Sequence, residues 1–294
     1  MVNLLIGEVL DSVRTLMTVH AHPDDESSKT AGTVAKYSDD GVRTVLVCAT
    51  GGEEGEMLNQ HFTGLNSSAD IADVRRKELK KATDILGYSE VYMLGYRDSG
   101  MAGSQSNSSP AAFCNIGLDE ATSALVEIIR KERPQVLITY GEDQSRYPHP
   151  DHLKVHEISV LAFQLAGDHQ YHPELGRAHQ VSKLYYTIWS KARIIALHER
   201  FMQLGLESPY NDEALARPGQ DEQITTSINV YDYFDRKLGA LRSHGSQIDP
   251  NSQFFFGLSS QDQAAAYPLE DYRLAQSKVG TSLDVLETDL FAGI

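Results

Sequence analysis

The sequence predicts an α/β fold of Rossmann-like type: a mostly parallel sheet with helices on both faces and a C-terminal α/β elaboration. Short Val-, Leu- and Ile-rich runs alternate with helix-periodic segments through residues 15–166. Such alternation implies right-handed crossovers between parallel neighbours. Glycines stand where helices should stop.

Residues 15–20 (TLMTVH) read as the first strand and 27–40 as a helix, with Gly41 at its C′ position. Residues 42–49 (VRTVLVCA) form a second strand. Residues 70–86 carry Ile71, Val74, Leu79 and Ala82 at helical spacing and are closed by Gly87. A third strand is expected at 91–94, a helix at 119–133, a fourth strand at 136–139 and a helix at 152–166. Beyond these, 183–189 and 224–230 look like strands, and 192–204 and 231–242 like helices. No linker composition separates the halves. The expectation is one domain over 1–294, with a core of about 14–166 and an elaboration of about 167–294.

Composition removes several functions. A chain of 294 residues buries roughly 75% of its unfolded surface, so no staple is needed to fold it. Its two cysteines, Cys48 and Cys114, cannot build a disulfide framework or a Cys-rich zinc site, and a cytoplasmic setting is expected. The formal net charge of −15 opposes nucleic acid and anionic membrane surfaces as partners. The first residues are apolar but lack a basic leader and are interrupted by Glu8 and Asp11, so they do not read as a signal peptide. No run approaches the ~18 apolar residues of a membrane span.

In an open parallel sheet, ligands bind beyond the carboxyl ends of the strands. After the first strand comes His20-Ala21-His22-Pro23-Asp24-Asp25-Glu26, and after the fourth Tyr147-Pro148-His149-Pro150-Asp151-His152. Acids at a helix start and prolines in a turn are each ordinary alone. Two His-Pro-Asp tripeptides at equivalent sheet positions point to one shared metal site. Two histidines and one Asp would hold a zinc ion and leave a position open. The remaining acids could serve as a general base and as partners orienting the histidines. Ferrous iron suits such a set as well as zinc. Gly51-Gly52-Glu53-Glu54-Gly55 lacks both phosphate-loop patterns, and its carboxylates would repel phosphate.

The pair AHPDDE (residues 21–26) and HPDH (149–152) resembles the LmbE/PIG-L-like zinc deacetylases, which remove acyl groups from amino-sugar amides on a Rossmann-like fold. The resemblance covers most of the chain. The stretches HAHPDDESSK, TGGEEGE, YRDSGM, QIDPNSQFF and the terminal DLFAGI look like the amidase branch acting on mycothiol S-conjugates, with the mycothiol-pathway deacetylases as close relatives. The resemblance implies His22, Asp25 and His152 as metal ligands and Asp24 as the base on the attacking water. It implies His149 as the group that stabilises the oxyanion or protonates the leaving amine, oriented by Asp151, and Tyr147 as a mobile residue that polarises the carbonyl. Glu56, Arg75 and Asp98 match positions that bind the sugar-inositol, and Lys29 falls where amidase-type members carry lysine.

Read without the resemblance, some of these residues have plainer roles. Arg75, within Arg75-Arg76-Lys77-Glu78, equally suits a solvated helix face, Glu56 a turn, Asp98 a loop cap and Lys29 a solvent-facing helix position. His20 is expected in the core. His156 follows His152 at a metal-like helical spacing. His244 and four other histidines have no evident partner. Ser145-Arg146 stand where family members often have glycines, a departure that bears on substrate preference. The implied reaction splits the cysteinyl-glucosamine amide of a mycothiol S-conjugate into a mercapturate and glucosaminyl-inositol. The alternative is deacetylation of N-acetylglucosaminyl-inositol. A non-catalytic sugar or metal binder and a nucleotide-binding regulator are less well matched, the first by the full set of reactive residues and the second by the missing phosphate fingerprint.

Overall fold

The computed structural model describes residues 13–59, 68–144, 147–280 and 285–294. The N-terminal apolar segment and Arg146 lie outside the described residues.

The strands are β1 (Thr15–His20), β2 (Arg43–Thr50), β3 (Glu90–Tyr96), β4 (Val136–Thr139), β5 (Lys183–Ile188), β6 (Thr226–Asn229) and β7 (Leu269–Ser277). They form one sheet of order β3-β2-β1-β4-β5-β7-β6. The first five neighbours pair in parallel. β7 then runs antiparallel between β5 and β6. β1 leads outward to β2 and β4 leads the other way to β5, so the chain reverses its winding between β1 and β4. A crevice opens at the carboxyl ends of strands at such a switch point. The two His-Pro-Asp tripeptides follow these two strands.

The helices are α1 (Asp25–Lys29), α2 (Ala31–Asp39), α3 (Ser68–Leu86), α4 (Leu118–Glu132), α5 (Pro150–Leu165), α6 (Lys191–Gln203), α7 (Asp212–Ala216), α8 (Phe234–Ser243), α9 (Gln253–Phe256) and α10 (Ser260–Ala266). Alternation along β1 sends Met17 and Val19 to one face, where they join Leu125 and Ile129 of α4 and Val155 and Ile158 of α5. Leu16 faces the other layer with Tyr37 of α2 and Phe234 of α8. Both faces of the sheet are therefore covered, which explains the near-continuous apolar runs of β1, β2 and β4.

The short helices α7, α9 and α10 have no counterpart in the sequence expectation, and the structure differs from it in three further places. The helix expected at 27–40 starts earlier and breaks at Thr30 (φ −130°) into α1 and α2. Thr30 Oγ1 donates to Glu26 O at 3.3 Å and lies 3.2 Å from His20 Nε2, while Glu270 accepts from the N–H groups of Gly32 and Thr33. A remote carboxylate thus caps α2 and makes the break tolerable. β7, the longest strand, carries acids where a strand pattern expects apolar residues, and they are buried in polar contacts. The segment 231–242 is a short 3₁₀ turn followed by α8. Elsewhere the boundaries move by a residue or two. Gly41 closes α2 at φ +76°, as its position predicted.

Candidate active site

The loop after β1 turns sharply. Asp24 has φ +114°, a conformation that costs a non-glycine residue energy. The turn places the carboxylates of Asp24 and Asp25 in different surroundings. The Asp25 side chain is only 5% exposed, whereas that of Asp24 is 29% exposed. At the second loop, His149 is the N-cap of α5 and Pro150 fills its first turn, where no N–H is needed. Asp151 and His152 therefore start a rigid helix and are buried beneath the crevice.

His22, Asp25 and His152 converge. One donor atom from each lies within 4.8 Å of the others. Asp25 Oδ2 sits 3.5 Å from His22 Nδ1 and 3.4 Å from His152 Nε2. His152 Nε2 is buried with no hydrogen-bond partner, although its other ring nitrogen lies 3.3 Å from Gln144 Oε1. A buried ring nitrogen left unmatched beside a carboxylate and a second imidazole is what a divalent cation would satisfy. A second group, His22, Asp98, His149 and Asp151, meets the same distance limit. Its carboxylates are committed elsewhere. Asp151 accepts from the backbone N–H of Ser99 at 3.0 Å and from the Ser99 hydroxyl, and Asp98 accepts from Gly100 N at 2.8 Å. His22 joins the two groups: its Nδ1 faces Asp25, and its Nε2 lies 3.3 Å from Asp151 and 3.6 Å from Asp98. Carboxylates behind a ligating imidazole are the usual means of fixing its orientation.

Burial opposes a charge on His22, but Asp98, with hydrogen bonds to Asp151 and Asp25, raises its pKa well above the ordinary value. Burial also opposes a charge on Asp25, yet Lys29 and His152 hold it well below the ordinary carboxylate range. Asp24 moves the other way: burial and the Asp25 charge raise it, against the pull of Arg75. Two adjacent carboxylates are thus pushed apart in basicity, a pattern that separates a charged anchor from a proton acceptor. His149 is lowered to about 4 by burial and the charge of His22.

The other predicted residues take definite places. Arg75 is not on a solvated helix face. It is buried, and its guanidinium donates to Asp24 Oδ2 at 3.1 Å, Pro23 O at 2.5 Å and Gly52 O at 2.8 Å. Gly52 (φ +70°) permits this approach, because a Cβ there would fall 2.3 Å from Arg75 Cζ. Lys29 is not solvent-facing either: Nζ pairs with Asp25 Oδ1 at 2.8 Å. Asp98 lies inside the histidine cluster, 3.9 Å from His149 Nε2. Tyr147 is 54% exposed at the mouth, its ring 6.0 Å from that of His149 and 5.4 Å from that of His152. Glu56 is exposed on the segment following Gly55. The contact between Asp151 and His149 is made by the backbone N–H, which donates to His149 Nδ1 at 3.2 Å, while the carboxylate turns to Ser99 and His22. His149 then carries its proton on Nε2, directed into the site. His20 is buried in the core, and His156 faces Tyr140 O at 3.0 Å, outside both clusters.

Three contributors escape sequence reasoning. Tyr140 follows β4 directly and donates to Asp25 Oδ2 at 2.6 Å. Ser99 holds Asp151. Glu26, the third acid of the first motif, pairs with His244 at 2.7 Å. Position offered a clue for Tyr140, at the carboxyl end of a strand. For Ser99 and His244 no local pattern existed.

Among the described residues no helix is long and apolar enough to cross a membrane. The family model "PIG-L: GlcNAc-PI de-N-acetylase" matches residues 17–163. A mycothiol S-conjugate amidase from Streptomyces coelicolor is 43% identical over 289 residues, covering 95% of this chain and 97% of the relative. A 1D-myo-inositol 2-acetamido-2-deoxy-alpha-D-glucopyranoside deacetylase from Geodermatophilus obscurus is 36% identical over 293 residues, covering 96% and 98%. Among solved structures, N,N'-diacetylchitobiose deacetylase from Pyrococcus horikoshii superposes with a TM-score of 0.62 at 19% identity, over 93% of this chain and 91% of that one, a likeness of fold.

Proposed function

The chain belongs to the PIG-L family and is a hydrolase acting on an amide, and within that family we propose that it cleaves the cysteinyl-glucosamine amide of mycothiol S-conjugates. The observation carrying this reading is the 43% identity to an amidase of that name along nearly the whole of both chains. Lys29 supports it, set against Asp25 at the floor of the crevice where the amidase branch carries lysine.

His22, Asp25 and His152 would hold the metal, with zinc the first choice and ferrous iron chemically suited. When bound, such an ion lowers the pKa of water and polarises a carbonyl. Asp24, the more exposed and more basic of the two acids, takes the proton of the attacking water. Arg75 fixes one Asp24 oxygen, so the other is left for that task. His149 presents its Nε2 proton to the carbonyl oxygen as negative charge develops there, and Tyr147 reaches the same oxygen from the mouth. As the C–N bond breaks, the nitrogen takes the proton that Asp24 removed from water and leaves as the glucosaminyl-inositol amine, and the water oxygen remains in the mercapturate carboxylate. Glu56, exposed beyond Gly55, would meet sugar and inositol hydroxyls, and the lone pairs of Asp98 not taken by Gly100 N would meet those nearest the histidines. Cytoplasmic action on a small amino-sugar thiol conjugate fits this reading.

The second reading is deacetylation of N-acetylglucosaminyl-inositol, favoured by 36% identity to a deacetylase over similar coverage. Both substrates present an amide on the same glucosamine nitrogen and differ in the acyl group. Turnover of a fluorescent mycothiol S-conjugate and of the acetylated sugar should be compared on one metal-loaded preparation. Preference for the conjugate is expected, and a strong preference for the acetyl substrate would overturn the amidase reading.

A further inference from the structure

We infer that Glu26 and His244 form a buried positioning pair that holds the backbone of Asp24 in its left-handed conformation, joining the C-terminal part of the chain to the proposed base. The inference rests on the reading of Asp24 given above. Glu26 is the last residue of the first motif, and His244 lies just past α8, 218 positions later. Both side chains are sealed from solvent, at 1% and 0% exposure.

The carboxylate of Glu26 is divided between two tasks. Oε2 accepts from the backbone N–H of Asp24 at 2.9 Å. Oε1 accepts from Ser27 Oγ at 2.5 Å and faces His244 Nε2 at 2.7 Å. The Asp24 N–H is therefore held by a charged acceptor while φ stands at +114°. A strained residue persists only where its surroundings over-determine it, and a charge-assisted hydrogen bond is about twice as strong as a neutral one. The carbonyl side of Asp24 is also taken, since it accepts from the N–H groups of Ser27 and Ser28 at 3.1 and 3.0 Å. Arg75 binds the side chain and the preceding carbonyl. Among the described residues Glu26 alone supplies the remaining contact, at the amide.

An isolated buried carboxylate would be costly, and among the described residues His244 is the one imidazole bonded to it. The histidine is itself held in place. Two residues on, Ser246 donates from both its backbone N–H and its hydroxyl to Glu78 of α3, each at 2.7 Å. The chain of contacts runs from α3 through Ser246 and His244 to Glu26 and ends on Asp24. Among the described residues the His244 imidazole hydrogen-bonds to Glu26 alone, and to none of His22, Asp25 and His152. His244 is thus a positioning residue, acting through Glu26.

The test compares H244A with H244Q, whose amide can restore the donor to Glu26. Hydrogen exchange at the Asp24 amide, read by NMR, should quicken by about tenfold in H244A, as for loss of one strong hydrogen bond, and return toward wild type in H244Q. With metal stoichiometry unchanged, kcat on the preferred substrate should fall on the order of a hundredfold in H244A with KM little altered, and H244Q should recover most of it. If H244A does not fold, E26Q makes the same comparison, because its neutral amide replaces the charged acceptor at the Asp24 N–H. Unchanged protection of the Asp24 amide, or equal kcat losses in H244A and H244Q, would overturn the inference. Wild-type protein inactive on both substrates would instead overturn the proposed function, and the exchange comparison would still decide the role of the pair.

Discussion

Tyr140 lies flat on His152, with ring centroids 4.3 Å apart and planes 7° from parallel, while its hydroxyl donates to Asp25 Oδ2 at 2.6 Å. The same hydroxyl accepts from Ala21 N at 2.8 Å. One phenol therefore braces two of the three proposed ligands and the loop carrying the third. Y140F keeps the ring stack and deletes both hydrogen bonds. Partners behind metal ligands are typically worth 10–100-fold in affinity, so Y140F should weaken metal binding by about tenfold or more, measured by competition with a chromophoric chelator. Affinity equal to wild type would remove Tyr140 from the metal site.

Asp24 and His152 should fail in different ways. H152A removes the orphaned Nε2 and should lose stoichiometric metal. D24A should retain metal and lose about 10²–10⁴ in kcat, the range for a general base. Metal content by atomic emission alongside single-substrate turnover separates the two. Wild-type turnover by metal-loaded D24A would deny Asp24 its role.

Much of this site is legible in the sequence because it is local. Each His-Pro-Asp tripeptide follows an apolar strand, and the short apolar runs that burial on both faces demands make β1 and β4 readable. Ligand type and spacing then do the rest. The parts that escape are those whose partner is remote. Arg75 sits among Arg76, Lys77 and Glu78 and reads as a charged helix face, yet its guanidinium is buried against Pro23, Asp24 and Gly52. His244 has no neighbour in sequence that signals Glu26. β7 is hidden because Glu270 and Asp271 occupy strand positions where alternation expects apolar residues. Their cost of burial is met by Lys237 of α8 and Ser227 of β6, and by Tyr267 just ahead of the strand.

Gly52 links turn chemistry to the proposed base. A side chain there would both strain the φ of +70° and displace the Arg75 guanidinium. Left-handed conformation costs an L-residue about 1–2 kcal/mol, so G52A should lower the melting temperature by several degrees. Because Arg75 also orients Asp24, kcat should fall further than that loss of stability explains at temperatures where the variant remains folded. Calorimetry and turnover on the same sample test this. A lowered melting temperature with unchanged kcat would show that Arg75 does not hold Asp24 for catalysis.

Acid sensitivity should arise partly from Glu270. Its carboxylate is 4% exposed, lies 2.6 Å from Lys237 Nζ and caps the N–H groups of Gly32 and Thr33. Burial opposes its ionisation, but Lys237 and the Thr33 contacts outweigh this and lower its pKa below the ordinary 4.5. A carboxylate with a depressed folded pKa contributes stability that is complete above its unfolded value and is lost as pH falls through the folded one. E270Q leaves the buried Lys237 ammonium without its counter-charge and should cost about 3–5 kcal/mol at neutral pH. Lys237 is itself lowered by burial, against the pull of Glu270. The stability gap between wild type and E270Q, measured by urea unfolding, should therefore be full at neutral pH and narrow as pH falls into and below the ordinary carboxylate range. A gap that held constant through strong acid, or was absent at pH 7, would show that the pair does not stabilise the start of α2.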